Sequence, residues 1–339
     1  MKNGTSETRS GAAPDAAVPG AVKRRLTGKK VGSMAFQQFL VRLYKRAVRD
    51  LKGHGLGRFR IVQTAKRHAY LTVRAKSAVV DGHPMFLDAH DILELSINGI
   101  YEPVETALAK SEVKPGNTVL DIGAHVGYYT LMFARLVGPG GRVYAFEPEP
   151  ANFAVLTKNV ETNGYRNVRL IHQAVSNRNT KTRLFLADYD LGDHRIYDSG
   201  DNRESIEIDL VRLDDFFGER GSRIDFLKMD VQGSEAGVLL GMPRLLEQNP
   251  QIKIVTEFWP FGLTNFGTDP AEFLRLLAPP GRKLYHVSEE LGRIEPADVR
   301  QLLETYTVEK KNYTNLLSVP EEWTGAEAVR PAVRLEPSF

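Results

Sequence analysis

The chain has 339 residues, with 45 Lys and Arg against 42 Asp and Glu, a formal net charge of +3 and 42% hydrophobic residues. This composition is ordinary for a globular protein with a large core, and no apolar run is long enough to span a membrane. The absence of cysteine excludes disulfides, thiolate metal ligands and cysteine nucleophiles, and the lack of a signal-peptide pattern leads us to expect a cytoplasmic protein.

The N-terminal region divides into an arm and a basic helix. Residues 1–32, rich in Gly, Ala, Ser and Pro and carrying the basic run KRRLTGKK, predict a disordered arm. Residues 33–54 predict an amphipathic helix whose apolar residues share one face, with lysines and arginines opposite. We expect this helix to pack on its own domain. The alternative is a peripheral contact of residues 33–52 with the inner face of the membrane, which would give access to glycolipids.

The rest of the chain predicts a small subdomain followed by a larger domain. Residues 55–110 contain short strand-like runs, then a helix from Tyr101 to Lys110, and predict a β subdomain or lid. Residues 111–320 are expected to form the main domain and residues 321–339 a C-terminal tail.

Strand and helix patterns alternate through the main domain. The stretch TVLDIGAHVGYYT, at residues 118–130, predicts a buried strand, a turn with two glycines and a helix that ends before Gly138. Further helices are predicted over residues 149–163, 234–247 and 270–277. NVRLIHQAVS predicts one continuous strand, and TRLFLAD and SIEIDLVRL predict an extra β pair around a polar loop at residues 189–204. This alternation predicts an α/β fold with a doubly wound, mostly parallel sheet.

Polar residues end the predicted strands, at the edge where such sheets bind ligands. They are Asp121, Glu147, Gln173, Asp230 and Glu257. Glu147 can accept hydrogen bonds from both ribose hydroxyls of an adenosine-containing cofactor. Its structural alternative is to cap the helix that follows.

The turn from Asp121 to Gly127 distinguishes between cofactors. It departs from the G-x-G-x-x-G pattern of dinucleotide sites and carries no cation for a pyrophosphate. An acid at its start suits the ammonium group of S-adenosylmethionine, with the helix N-terminus facing the carboxylate and Glu147 the ribose. An NAD-dependent oxidoreductase with a variant dinucleotide turn stays open as the alternative.

Several ordered motifs resemble the FkbM family of S-adenosylmethionine-dependent methyltransferases. They are DIGAHVGYYT, AFEPEPANFAVLTKNV, AVSN, LDDFF, LKMDVQGSEAGVLLGM and TNLLSV, preceded by DGHPMFLDAHD and YEP. The resemblance covers residues 80–320 and implies a class I, Rossmann-like methyltransferase fold. It also implies methylation of oxygen, often on glycans, glycolipids or natural products.

The resemblance also implies a set of cofactor residues. Carried over by position, they are Asp121, Gly123, Gly127, Glu147 and Asn152, with Ala174 near the adenine. His125 stands where the family commonly has asparagine. It could act as a base, but its place in the cofactor turn favours a hydrogen-bonding role. Gln232 stands where the family pattern has glutamate, which weakens any claim that an acid is essential there.

The candidate catalytic residues are Asp230, Glu257 and His194. Asp230 could accept the proton of an acceptor hydroxyl or only cap the following helix, and Glu257 is a second acid on the neighbouring strand. His194 lies in the polar loop, which could cover the acceptor. The aspartates of that loop lack the EF-hand spacing, and we expect no metal.

The expected partner is a hydroxyl-bearing small molecule or glycan. An RNA-binding or RNA-modifying protein is the third possibility, but it requires a surface of basic residues interleaved with stacking aromatics, and the sequence offers only a basic arm and a basic helix. We therefore expect no nucleic acid as a partner.

Overall fold

The computed structural model describes residues 74–188, 190–218 and 222–325. The predicted arm, the basic helix, the strand-like runs before residue 74 and the tail from residue 326 lie outside the described residues. Within the described ranges, no helix is long and apolar enough to cross a membrane.

A hairpin and two helices precede the central sheet. They are β1 (Ser77–Val80), β2 (His83–Phe86), α1 (Leu95–Asn98) and α2 (Pro103–Glu112). The buried amide of Asn159 attaches the hairpin to the main domain. Its Oδ1 accepts from the Phe86 amide at 2.7 Å, and its Nδ2 donates to the Phe86 and Val126 carbonyls, both at 2.8 Å.

The following strands and helices alternate along the chain. The strands are β3 (Thr118–Ile122), β4 (Arg142–Phe146), β5 (Val168–Ile171), β6 (Ala174–Val175), β7 (Thr180–Phe185), β8 (Ser205–Val211), β9 (Phe226–Met229), β10 (Lys253–Phe258), β11 (Arg282–Ser288), β12 (Arg293–Pro296) and β13 (Thr314–Pro320). The helices are α3 (Tyr128–Val137), α4 (Pro150–Thr162), α5 (Leu213–Phe217), α6 (Glu235–Leu240), α7 (Pro243–Gln248), α8 (Pro260–Phe266), α9 (Pro270–Leu277) and α10 (Val299–Thr305).

The central sheet has eight strands in the order β12-β11-β13-β10-β9-β3-β4-β5. Strands β10, β9, β3, β4 and β5 are parallel, and β13 runs antiparallel between β10 and β11. Alternate residues of a strand face opposite sides of a sheet, so Val119 and Leu120 of β3 enter two separate apolar clusters. Helix α3 packs in the first cluster and helices α6, α7 and α9 in the second. The α/β prediction of a doubly wound, mostly parallel sheet is confirmed.

The predicted β pair forms its own small sheet, in the order β6-β8-β7. Strand β7 pairs antiparallel with β8 as expected. The prediction of one continuous strand over NVRLIHQAVS was wrong. The chain leaves the central sheet after Ile171, and Ala174 begins β6 in the small sheet.

The helix predicted over residues 234–247 was also wrong, because it is two short helices, α6 and α7. Met242 separates them with φ −134° and ψ 30°, and Pro243 follows it. A residue before proline is pushed out of the helical region by the proline ring, so the break follows from this one position.

Candidate active site

A cavity of about 430 Å³ opens at the carboxyl ends of the parallel strands. All five strand-end residues line it: Asp121, Glu147, Gln173, Asp230 and Glu257. Parallel strands present their carboxyl ends at one edge, so residues far apart in sequence meet there. The predicted convergence of acids at this edge is confirmed.

Nine of the ten predicted site residues line this cavity. They are Asp121, Gly123, His125, Glu147, Asn152, Ala174, His194, Asp230 and Glu257. Gly127 does not line it. It precedes α3 with φ 94°, and a Cβ on it would lie 2.6 Å from the Leu156 side chain, so packing against α4 accounts for this glycine.

Gly123 is the point where two strand ends meet. Its φ is 80°, and a Cβ on it would lie 2.0 Å from the Asp230 carbonyl oxygen. The amides of Gly123 and Ala124 both donate to the Phe146 carbonyl, at 3.0 and 2.9 Å. Only glycine fits this close approach, so the turn after β3 is held against the ends of β4 and β9.

Glu147 is buried beneath the same turn. Its Oε2 accepts from the His125 amide at 2.8 Å, and its Oε1 accepts from the Glu149 amide at 2.9 Å. Burial raises the pKa of Glu147 to about 7. Helix α4 is capped by Glu149, which accepts from the Asn152 amide, so the capping alternative for Glu147 does not hold.

Two residues in this wall present polar atoms without partners. Asp121 accepts from the Thr130 hydroxyl through Oδ2, while its Oδ1 has no hydrogen-bond partner among the described residues. Both ring nitrogens of His125 likewise have none, and burial lowers the pKa of His125 and favours the neutral ring. Buried polar groups are normally satisfied, so these atoms fit a polar ligand.

The polar loop forms one side of the cavity. We call residues 190–204 the cover loop. The side-chain Nδ2 of Asn152 donates to the Leu191 carbonyl at 3.0 Å, and the Tyr197 hydroxyl donates to the Gln232 carbonyl at 2.8 Å. His194 lines the cavity and accepts from the Ala187 amide through Nδ1 at 3.0 Å. In the described part of the chain, no group of three histidine, aspartate or glutamate side chains is arranged to hold a metal ion.

Asp230 is held from both sides at the end of β9. Its Oδ2 lies 3.4 Å from Lys228 Nζ, and its Oδ1 accepts from Gln232 Nε2 at 2.7 Å. It does not cap α6. Glu235 organises that turn instead, since its Oε1 accepts from the Val231 and Gly233 amides, both at 3.1 Å. The Asp230 carboxylate is therefore available at the cavity wall.

Sequence reasoning missed Lys228. It is 5% exposed, pairs in register with Asp121 on β3, and its Nζ lies 4.8 Å from the centre of the Tyr129 ring. Burial alone would lower the pKa of Lys228, but the nearby charges, led by that of Asp230, outweigh burial and raise it. A lysine inside the apolar run FLKM was the available signal, because a buried lysine requires an acidic partner.

Glu102 is one of the acids whose charges raise the pKa of Lys228. It precedes α2 and accepts from Asn315 Nδ2 at 2.9 Å and from the Tyr129 hydroxyl at 3.3 Å. Burial raises the pKa of Glu102 to about 7. The motif YEP thus places an acid behind the cavity wall, next to Tyr101, which lines the cavity.

The family described as Methyltransferase FkbM domain matches residues 121–294, just over half of the chain. The chain belongs to the FkbM methyltransferase family. This membership confirms the resemblance seen in the motifs and the prediction of a methyltransferase domain that uses S-adenosylmethionine. A second family, protein-L-isoaspartate(D-aspartate) O-methyltransferase, matches residues 59–175, which end before Asp230 and Glu257.

Two relatives of this FkbM chain are similar over part of their length. The 31-O-demethyl-FK506 methyltransferase FkbM of Streptomyces tacrolimicus is 32% identical over 163 residues, which cover 39% of this chain and 61% of that protein. Methyltransferase 1 of Beauveria bassiana is 27% identical over 144 residues, covering 37% of this chain and 57% of that protein. In both alignments the chain spans less than two thirds of the relative.

A solved structure of an FkbM methyltransferase from Methylobacillus flagellatus also aligns with this chain. Its TM-score is 0.37 at 15% identity, and the alignment covers 67% of this chain and 52% of that chain.

Proposed function

We propose that this FkbM protein transfers a methyl group from S-adenosylmethionine to a hydroxyl oxygen of a glycan, glycolipid or natural product. One observation carries the proposal. A single cavity brings Asp121 and Glu147, which suit the cofactor, next to Asp230 and Glu257, which suit a hydroxyl-bearing acceptor. The chemistry of both halves of the reaction is therefore available at one place.

The cofactor half fits S-adenosylmethionine, which supplies an electrophilic methyl group on a sulfonium when it is bound. The unpartnered Oδ1 of Asp121 would accept from the ammonium group. Each oxygen of Glu147 accepts one backbone amide and keeps a further lone pair for a ribose hydroxyl. A pyrophosphate at the turn would face the buried carboxyl group of Asp121, and this disfavours the dinucleotide alternative.

The acceptor half centres on Asp230. An aliphatic hydroxyl is a weak nucleophile, and a carboxylate that takes its proton as the new carbon–oxygen bond forms makes the attack easier. Lys228 and Gln232 fix the orientation of the Asp230 carboxylate, and buried Tyr129 helps to exclude water from the cavity. Holding the oxygen in line with the methyl group is the main task of such a site.

An oxygen acceptor is also supported by the Streptomyces relative, whose name gives 31-O-demethyl-FK506 as the compound that it methylates. The isoaspartate methyltransferase family matches only the part of the chain that carries the cofactor residues, so it gives no support for a peptide carboxyl as acceptor. We also propose a cytoplasmic location, with peripheral contact at the inner face of the membrane as the alternative.

Calorimetric titration separates the two cofactor classes. We expect S-adenosylhomocysteine to bind and to raise the melting temperature, because a ligand of the native state stabilises it. Transfer of labelled methyl groups to hydroxyl-bearing acceptors then tests the reaction. Binding of NAD without binding of S-adenosylhomocysteine would refute the proposal.

A further inference from the structure

Two acids at the ends of neighbouring strands, Asp230 and Glu257, share one side-chain amide. Gln232 Nε2 lies 2.7 Å from Asp230 Oδ1 and 3.5 Å from Glu257 Oε2. Gln232 has φ 53°, and its carbonyl accepts from Tyr197 in the cover loop. The Gln232 side-chain amide therefore lies between the two carboxyl groups and contacts one oxygen of each.

The surroundings of this pair are mostly acidic. The titratable groups that face Asp230 from the other elements are Tyr101, Glu102, Glu105, Asp121, His125, Asp190, Glu235, Glu257 and Tyr313. Burial and a neighbouring negative charge both disfavour the ionised form of a carboxyl group. Glu257 is 8% exposed and meets both conditions, whereas the Asp230 side chain is 25% exposed.

The nearby cations also distinguish the two acids. Of those that line the cavity, Arg195 pairs with Asp193 and Lys311 lies over the Phe261 ring. Lys228 lies within ion-pair distance of Asp230, while Glu257 has no such pair among the residues that the structure describes. Burial and the charge of Asp230 raise the pKa of Glu257 well above its ordinary range.

We propose that Asp230 and Glu257 play opposite parts toward the acceptor. Asp230 accepts the hydrogen of the hydroxyl that is methylated, and Glu257, as a neutral acid, donates a hydrogen bond to a second oxygen of the same molecule. Lys228 and Gln232 are positioning residues, since they act through Asp230. The proposal rests on the proposed function, because both roles concern an acceptor hydroxyl.

This arrangement specifies the chemistry of the acceptor. A donor and an acceptor of hydrogen bonds side by side match two neighbouring oxygens, as in a diol or a sugar ring, better than an isolated alcohol. The amide at position 232 supports this division. A glutamate there would add a third acid to the pair, whereas the Gln232 amide donates to Asp230 without adding charge.

Infrared difference spectroscopy on the full-length protein at neutral pH tests the assignment without any acceptor. A protonated carboxyl group gives a carbonyl stretching band separate from that of a carboxylate. We expect the difference between the two spectra to show that Glu257→Gln lacks one protonated carboxyl band that the wild type has. The matched control is Glu207→Gln, because Glu207 is exposed and pairs with Lys181, and it should leave this band unchanged. A folded Glu257→Gln variant that keeps the band would overturn the proposal.

A second variant tests why the proton stays on Glu257. Asp230→Asn removes the neighbouring negative charge that raises the pKa of Glu257, and we expect the Glu257 band to disappear at a lower pH than in the wild type. A folded Asp230→Asn protein in which this band disappears at the same pH would overturn the proposal. If this variant does not fold, the Glu257→Gln comparison still decides the proposal. Titration with S-adenosylhomocysteine is independent of these bands, so failure of the proposed function is recognised separately.

Discussion

Replacing Glu147 by alanine tests the cofactor side of the site. The Glu147 carboxylate is 6% exposed and anchors the turn through the amides of His125 and Glu149. Its proposed ligand contacts are hydrogen bonds from ribose hydroxyls to a charged acceptor. Each such bond contributes about 1.5–3 kcal/mol, so losing even one should weaken S-adenosylhomocysteine binding at least about tenfold.

The pH dependence gives the same test a second readout. Burial raises the pKa of Glu147 to about 7, so its carboxyl group is partly protonated in the free protein at neutral pH. It must lose this proton before the carboxylate can accept hydrogen bonds from both ribose hydroxyls. Affinity should therefore fall as the pH drops below that value, by up to about tenfold per pH unit. Alanine at this position should remove that part of the pH dependence.

Isothermal titration calorimetry on folded protein measures both effects, with circular dichroism as the check on folding. Asp269→Ala is the matched control. It removes the cap from the Glu272 backbone amide of α9, away from the cavity, and should lower stability by roughly 0.5–2 kcal/mol while leaving the affinity for S-adenosylhomocysteine unchanged. If Glu147→Ala binds this ligand as tightly as the wild type, the assignment of Glu147 to the ribose is wrong.

Three further predictions concern the acceptor, the turn and the N-terminus. Asp230→Asn should reduce the turnover of labelled methyl transfer by roughly 10²–10⁴-fold without changing cofactor affinity, and full turnover would refute the role of Asp230 as the base. The control for the turn is Gly116→Ala, because Gly116 has φ 83° and an added Cβ would meet open space. Backbone strain alone should lower its free energy of unfolding in denaturant by about 1–3 kcal/mol. Gly123→Ala should be less stable than that control, because its Cβ would meet the Asp230 carbonyl, and equal stability would contradict this explanation. Deleting residues 1–52 should lower the melting temperature if the basic helix packs on its domain, whereas an unchanged melting temperature with lost binding to anionic vesicles would favour the membrane alternative.

The sequence alone was sufficient for the long, periodic elements. Helices α3, α4 and α9, strand β13 and the β7–β8 pair follow from local patterns that span at least one full period of their structure. Helices α5, α8 and α10, with 5, 7 and 7 residues, were not predicted, because their sequences show no clear apolar period.

The positions of the strand-end acids were predictable for a related reason. Asp121, Glu147, Asp230 and Glu257 each follow or end an apolar run, and a parallel sheet gathers such ends at one edge whatever the remaining contacts are. Position along the strand was sufficient to bring these residues into one cavity.

Only the tertiary structure decided what each acid does there. Glu149 rather than Glu147 caps α4, Glu235 rather than Asp230 organises the turn before α6, and Gly127 packs on Leu156 outside the cavity wall. The pairing of Lys228 with Asp230, in surroundings that include Glu102 from a distant segment, depends on distances between side chains of different elements. Burial and charge act through space over a few ångströms, so the ionisation and the partners of these groups are set by the packed sheet rather than by the order of residues in the chain.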